Sequence, residues 1–183
     1  MAYERAKMTM LPEVEALIEH YQFEQLPIEG TLFRQMYRSA SELDGHRPVG
    51  TAIIGLYCEE PHSVSLFHKL SSDEVWHFYA GDPFRLVLLY PDGSSTDVIM
   101  GNNPFYGQHV QYVVPAGVWQ AAHLIDGGRY ALYGCTMAPG FTDESFIGGT
   151  MADLLPHYPD RADDIAALAC PDRQTHLPKG FSS

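Results

Sequence analysis

Ser65-Leu66-Phe67-His68-Lys69-Leu70-Ser71-Ser72-Asp73-Glu74-Val75-Trp76-His77-Phe78-Tyr79-Ala80-Gly81 is the stretch whose reading decides the fold. Two runs rich in apolar and aromatic residues flank a polar Ser-Ser-Asp step, which reads as two strands with a reversal between them. Side chains two apart in a strand share a face. Leu66 and His68 are therefore expected to point together, as are Glu74, Trp76 and Phe78. If the strands pair, an imidazole and a carboxylate meet inside one barrel against an aromatic wall. Such a pair suits either a metal or general acid–base chemistry.

Outward from this stretch the same texture continues. Between residues 50 and 138, short runs such as TAIIGLYC, FRLVLLY, VQYVVP, VWQAAHLI and YALYGCTMA alternate with turn signals at Asp82-Pro83, Pro91-Asp92-Gly93, Asn102-Asn103-Pro104 and Asp126-Gly127-Gly128. About eight short strands with regular punctuation predict a mainly β sandwich or barrel. Pro91-Asp92-Gly93-Ser94 between two such runs predicts a hairpin. Leu11, Val14, Leu17, Ile18 and Tyr21 recur at helical spacing, so a helix is expected over 11–22, with Pro12 in its first turn. An extended segment follows over 31–39. After Pro139-Gly140 two short helices are expected, at 150–156 and 160–169. The layout is a single domain over 1–170 with its barrel at about 31–140, and an unpatterned, loose tail over 171–183.

Bulk properties narrow the partners. The chain has 183 residues, 45% of them apolar, enough for one self-sufficient core. Its net charge of −12 and only 11 scattered Lys and Arg residues argue against nucleic acid. No apolar run is long enough to span a membrane, and the charged N-terminal stretch lacks the apolar region of a signal peptide. Three widely spaced cysteines, Cys58, Cys135 and Cys170, fit reduced structural thiols, and with them a cytoplasmic setting.

A second chemistry-bearing stretch is Val113-Val114-Pro115-Ala116-Gly117-Val118-Trp119-Gln120-Ala121-Ala122-His123. Pro-x-Gly makes a tight turn, and Gln120 follows on a strand that shares its face with Ala122 and Leu124. Glu74-x6-Gly81 resembles the end of cupin motif 1, and Pro115-x-Gly117 resembles the middle of motif 2. SDEVWHFYAGDP, VVPAGVWQAAHL, GCTMAPGF and FRQMYRS at 33–39 resemble one branch more closely, the DUF985 (cupin_5) family of the RmlC-like cupin superfamily. The likeness runs from about Leu11 to Ala169. It implies a jelly-roll barrel, with an N-terminal helix and short C-terminal helices, and a homodimer built by extending a sheet across a two-fold axis.

Against the ligand set of a metal cupin, three histidines and a glutamate, this chain departs. Leu66 falls near the first histidine position, and Gln120 replaces the histidine of motif 2. No cofactor is therefore expected. If a divalent metal were held, His68, Glu74 and Gln120 would be its ligands, an amide oxygen being a poor one. The resemblance implies a small polar metabolite as partner, such as a sugar or a nucleotide-linked sugar. The leading expectation is a metal-independent isomerase or epimerase with His68 and Glu74 as catalytic residues. Gln120, Trp76, Phe78, Arg34 and Tyr133 are expected to contact the ligand. The alternatives are a binding cupin without catalysis and a degenerate metalloenzyme. His77, on the opposite face from Glu74, and His123, facing away from Gln120, are read as structural.

Overall fold

The computed structural model describes residues 10–173 and 175–181. It begins with helix α1 (Pro12–Tyr21), within the span expected from the sequence. Glu13 and Glu15 lie in its first turn, near the positive end of the helix dipole. Gln22, left-handed at φ 53°, donates its N–H to Ile18 O and closes the helix.

Strands follow in the order β1 (Glu24–Gln25), β2 (Leu32–Arg38), β3 (Glu42–Leu43), β4 (Arg47–Pro48), β5 (Thr51–Cys58), β6 (Ser65–Leu70) and β7 (Glu74–Gly81). Next come β8 (Phe84–Leu89), β9 (Ser95–Met100), β10 (Gln111–Val114), β11 (Trp119–Leu124), β12 (Tyr130–Met137) and β13 (Phe146–Gly148). The chain then runs through α2 (Met151–Leu154) and a 3-10 turn into α3 (Ala162–Leu168). Both short C-terminal helices thus fall where the sequence predicts them. So does the β8–β9 hairpin, where Asp92 Oδ1 accepts from Ser94 N at 2.9 Å and Gly93 takes φ 87°.

Two antiparallel sheets, in the orders β1-β2-β5-β12-β7-β10 and β13-β6-β11-β8-β9, enclose the interior, and β3 and β4 form a separate small hairpin. The barrel extends past the expected limit of residue 140, because β13 pairs with the edge of β6. A three-residue strand carries too little periodicity to be recognised in a sequence.

The interior divides into two halves. One is plugged by aromatic rings. Tyr133 stacks between Tyr57 (centroids 4.4 Å apart) and Trp76 (5.2 Å), with Phe84 against all three. Gly55 on β5 is what admits Tyr133, since a methyl group there would lie 2.2 Å from the ring. The other half is hollow and holds the cavity described below.

Both outer faces are partly covered. Val14 of α1 packs on Leu56, Cys58 and Leu132 of the first sheet. Leu154, Ile165 and Leu168 of the C-terminal helices pack on Phe67, Val87 and Leu89 of the second. Each such side chain contributes roughly 1.5–3 kcal/mol by leaving water. Arg85 on β8 clamps α3 through Asp164, and Arg161 spans Asp97 and Asp164 beside it. All three cysteines are buried and unpaired, as expected. Among the described residues no helix is long and apolar enough to cross a membrane.

The end of the chain corrects the expectation of a loose tail over 171–183, as far as its described residues go. Thr175 O accepts from Gly148 N at 2.8 Å, and Leu177 is buried beside Leu70, Met137 and Phe146. Gly180 N and Phe181 N both donate to Asp143 Oδ2. Isolated apolar residues between Pro and Gly show no period, yet each fills a specific gap left by the barrel rim.

Candidate functional site

At the hollow end of the barrel lies a cavity of about 390 Å³. Its polar inner wall carries Glu29, His68 and Glu74, and its apolar wall includes Phe33, Leu70 and Phe146. Exposed Glu24 and Gln35 stand at its mouth with the half-buried Phe141 and Phe181.

His68 reaches this wall because β6 is irregular. Opposite β11, Gln120 aligns with His68 and Ala122 with Ser65, so two steps on one strand face three on the other. This bulge breaks the strict alternation. Ser65 and His68, three apart, both turn inward, while Leu66 packs with the outer cluster under α2 and α3. The expectation that Leu66 and His68 share a face is therefore corrected. His68 Nδ1 lies 2.8 Å from Leu66 O, and a carbonyl can only accept, so Nδ1 carries the proton in the neutral ring. Nε2 makes no hydrogen bond to the described residues and stands 3.9 Å from Glu29 Oε2. The ring stacks on Phe146 at 5.2 Å, with an interplanar angle of 14°.

Glu74 opens β7, and a relay from the plug holds it. Trp76 Nε1 donates to Gln120 Oε1 at 2.8 Å, and Gln120 Nε2 donates to Glu74 Oε2 at 2.7 Å. Because indole N–H only donates, the Trp76 contact decides which way the Gln120 amide faces. Burial pushes the Glu74 carboxyl up to about 7. The neighbouring His68 ring, Gln120 and the Cys135 thiol oppose that rise, and the charge of Glu29 adds to it. The Cys135 thiol is itself pushed far up by burial and by these carboxylates.

Glu29 was not singled out in the sequence. It stands in the turn between β1 and β2, where Ile28 and Gly30 take φ 71° and 89° and Glu29 O accepts from Leu66 N. Tyr57 O–H donates to Ser65 Oγ, and Ser65 in turn donates to Glu29 Oε1 at 2.6 Å. The one sequence signal was an acid in the otherwise apolar turn Leu26-Pro27-Ile28-Glu29-Gly30. Nothing in it points to Ser65, 36 residues away.

Of the seven residues singled out, only His68 and Glu74 line the cavity. Gln120 lies one layer behind Glu74. Trp76, Phe78 and Tyr133 belong to the buried aromatic core, which corrects their expected contact with a ligand: they are on the inner face, but deeper than the cavity. Tyr133 O–H is occupied by Thr31 Oγ1 at 2.7 Å. Arg34 is exposed on the outer face of β2, its neighbour Gln35 facing the cavity instead, so the clamp expected of it is corrected too. His77 faces outward, bonded to Thr136 Oγ1 at 3.0 Å.

A model of the cupin superfamily family DUF985 matches residues 15–147. The chain belongs to that family. Protein SO0799 from Shewanella oneidensis is similar in fold and sequence, 30% identical, with a TM-score of 0.80 over 86% of this chain and 98% of that one. A hypothetical protein from Leishmania major matches with the same identity and coverage, at a TM-score of 0.78. The Saccharomyces cerevisiae protein YML079W is 28% identical over 161 residues, 77% of this chain and 79% of that protein. Oxalate decarboxylase from Bacillus subtilis, at 13% identity, TM-score 0.50 and with 39% of its chain covered, shares the cupin fold alone.

The metal chemistry common among cupins does not fit this DUF985 barrel. Leu66 is turned out of the interior. Both ends of the Gln120 amide are committed to Trp76 and Glu74, so the conditional ligand set of His68, Glu74 and Gln120 is corrected at Gln120. Among the described residues, no group of three or more His, Cys, Asp or Glu side chains is arranged to hold a metal ion.

The raised Glu74 carboxyl has a thermodynamic consequence. The folded state binds this proton up to about pH 7, whereas the unfolded chain releases it near 4.5. Its contribution is thus fully present below 4.5 and lost as pH rises through 7. Glu74→Gln, which cannot ionise, is expected to gain thermal midpoint on the parent as pH rises from 5 to 8, as measured by scanning calorimetry. A constant difference would show that Glu74 ionises freely.

Proposed function

We propose that this cupin binds one small unphosphorylated carbonyl metabolite in its cavity and isomerises or epimerises it by metal-independent proton transfer. The observation that carries the reading is a base and an acid on one cavity wall: His68 Nε2 with its lone pair free, and Glu74 with a carboxyl raised to about 7. His68 would take the proton from the carbon beside the carbonyl. The C–H electrons become the C=C bond of an enol, and the carbonyl oxygen takes the Glu74 proton. Reversal with the proton returned to the other face, or to the neighbouring carbon, gives the isomer. Positioned groups of this kind contribute about 10²–10⁴-fold each.

A nucleotide-linked sugar fits less well. Pyrophosphate calls for Arg, Lys or a helix N-terminus, and among the described residues no lysine or arginine lines the cavity. The volume of about 390 Å³ suits a ligand of monosaccharide size. Binding without turnover is the second reading. Leu66 and Gln120 favour it, standing where the cupin motifs place histidines.

One experiment separates the two. The protein is incubated in D2O with aldoses, ketoses and amino ketones, and proton NMR follows the hydrogen beside the carbonyl. Catalysed exchange of a compound that also raises the thermal midpoint is the expected result. If every stabilising compound is recovered without deuterium, the proposed reaction is wrong and the protein is a binder.

A further inference from the structure

We infer that the cavity selects a small organic cation, an amine or quaternary ammonium ion, over neutral and anionic molecules of the same shape. The inference rests on reading the cavity as a small-molecule site, and it adds the charge of the ligand.

Three observations converge on it. The first is the lining: three carboxyl side chains, Glu24, Glu29 and Glu74, and among the described residues no lysine or arginine. Arg38 donates to Phe141 O at 3.4 Å, but its side chain is not part of the wall. The second is the set of rings. Phe33, Phe141, Phe146 and Phe181 all face the same space, and Phe33 and Phe181 lie 5.9 Å apart, tilted by 41°. Aromatic faces beside carboxylates attract an ammonium group through the ring quadrupole, the more so as water is excluded. An anion meets the reverse. The third is an open polar position in the wall. His68 is 97% buried, yet its Nε2 finds no hydrogen-bond partner among the described residues and faces the cavity beside Glu29. An N–H of an amine, or the hydroxyl of an amino alcohol, would supply the missing donor. The net charge of −12 adds a weaker, long-range attraction of the same sign.

The contacts divide by depth. Glu24 at the mouth meets an incoming cation first. Glu29, held by Ser65, is the carboxylate against which it settles, with Phe141 and Phe181 over it.

Titration calorimetry with three probes of one shape tests this. They are choline, its neutral carbon isostere 3,3-dimethylbutan-1-ol, and the anion 3,3-dimethylbutanoate, with ethanolamine added as a primary amine. One of the two cations is expected to bind roughly tenfold or more tightly than the neutral alcohol, and the anion not at all. Glu29→Gln should lose that preference, bringing the better-bound cation and the neutral alcohol to similar affinity. Phe181→Leu, at the rim and less exposed to a folding defect, should weaken the cation without weakening the alcohol. Affinity of both cations no greater than that of the alcohol, tighter binding of the anion, or no binding of either cation at millimolar concentration would overturn the inference. None of the probes carries a carbonyl, so their binding does not depend on the proposed reaction. A cation-selective cavity with no proton exchange would leave this inference standing and remove only the catalytic reading.

Discussion

Trp76→Ala is expected to lower the free energy of unfolding by about 3–5 kcal/mol, the usual cost of emptying a buried indole. For a chain of this size that corresponds to a fall of roughly 6–20 °C in thermal midpoint. The site of the change is the centre of the aromatic plug, where Trp76 is 1% exposed and stacks on Tyr133. Neighbouring strands hold their hydrogen bonds and cannot close the gap. The effect should reach the cavity as well, because the indole N–H anchors Gln120 and Gln120 anchors Glu74. Trp76→Phe separates the two contributions. It keeps most of the packing but strips the Gln120 oxygen of its donor, at a cost of about 1–3 kcal/mol. A Trp76→Phe variant as stable as the parent would show that the relay holds nothing in place.

His68→Ala is expected to reduce the rate of proton exchange on any active substrate by about 10²–10⁴-fold. Affinity should change far less, since the cavity keeps its carboxylates and phenylalanines. The loss should fall on kcat rather than KM, because the base acts on the transition state. His68→Gln, closer in size, guards against a simple collapse of the wall onto Phe146. Parental kcat in both variants would mean that the proton goes to another group, with Glu29 the next candidate on the same wall.

Much of this molecule is legible in its residues, and the reasons are local. Alternation at period two and turn chemistry at Pro91-Asp92-Gly93-Ser94 are short-range properties, so strands and hairpin fall where they are expected. Helix α1 carries its own start in Pro12, and its apolar stripe is complete within ten residues. The inward alternation of Glu74, Trp76 and Phe78 also follows from one strand read alone. His68 points into the barrel as its strand suggested, but the reasoning about Leu66 beside it failed. A bulge is decided by the partner strand, and β11 lies about fifty residues further along.

What the sequence by itself determined is the family, the two-sheet barrel with its flanking helices, and the identity of one imidazole and one carboxylate in its interior. What only the tertiary structure decided is how deep each inward side chain lies. Alternation assigns a face but not a height along the barrel. Trp76 and Glu74 share a face, yet one fills the plug and the other lines the cavity. Glu29 and Phe181 come from segments without period and join the site through contacts more than thirty residues apart in the chain. The charge of the cavity follows from that assembly. Carboxylates scattered along an acidic chain become a binding feature only when folding removes them from water and sets phenylalanine rings beside them.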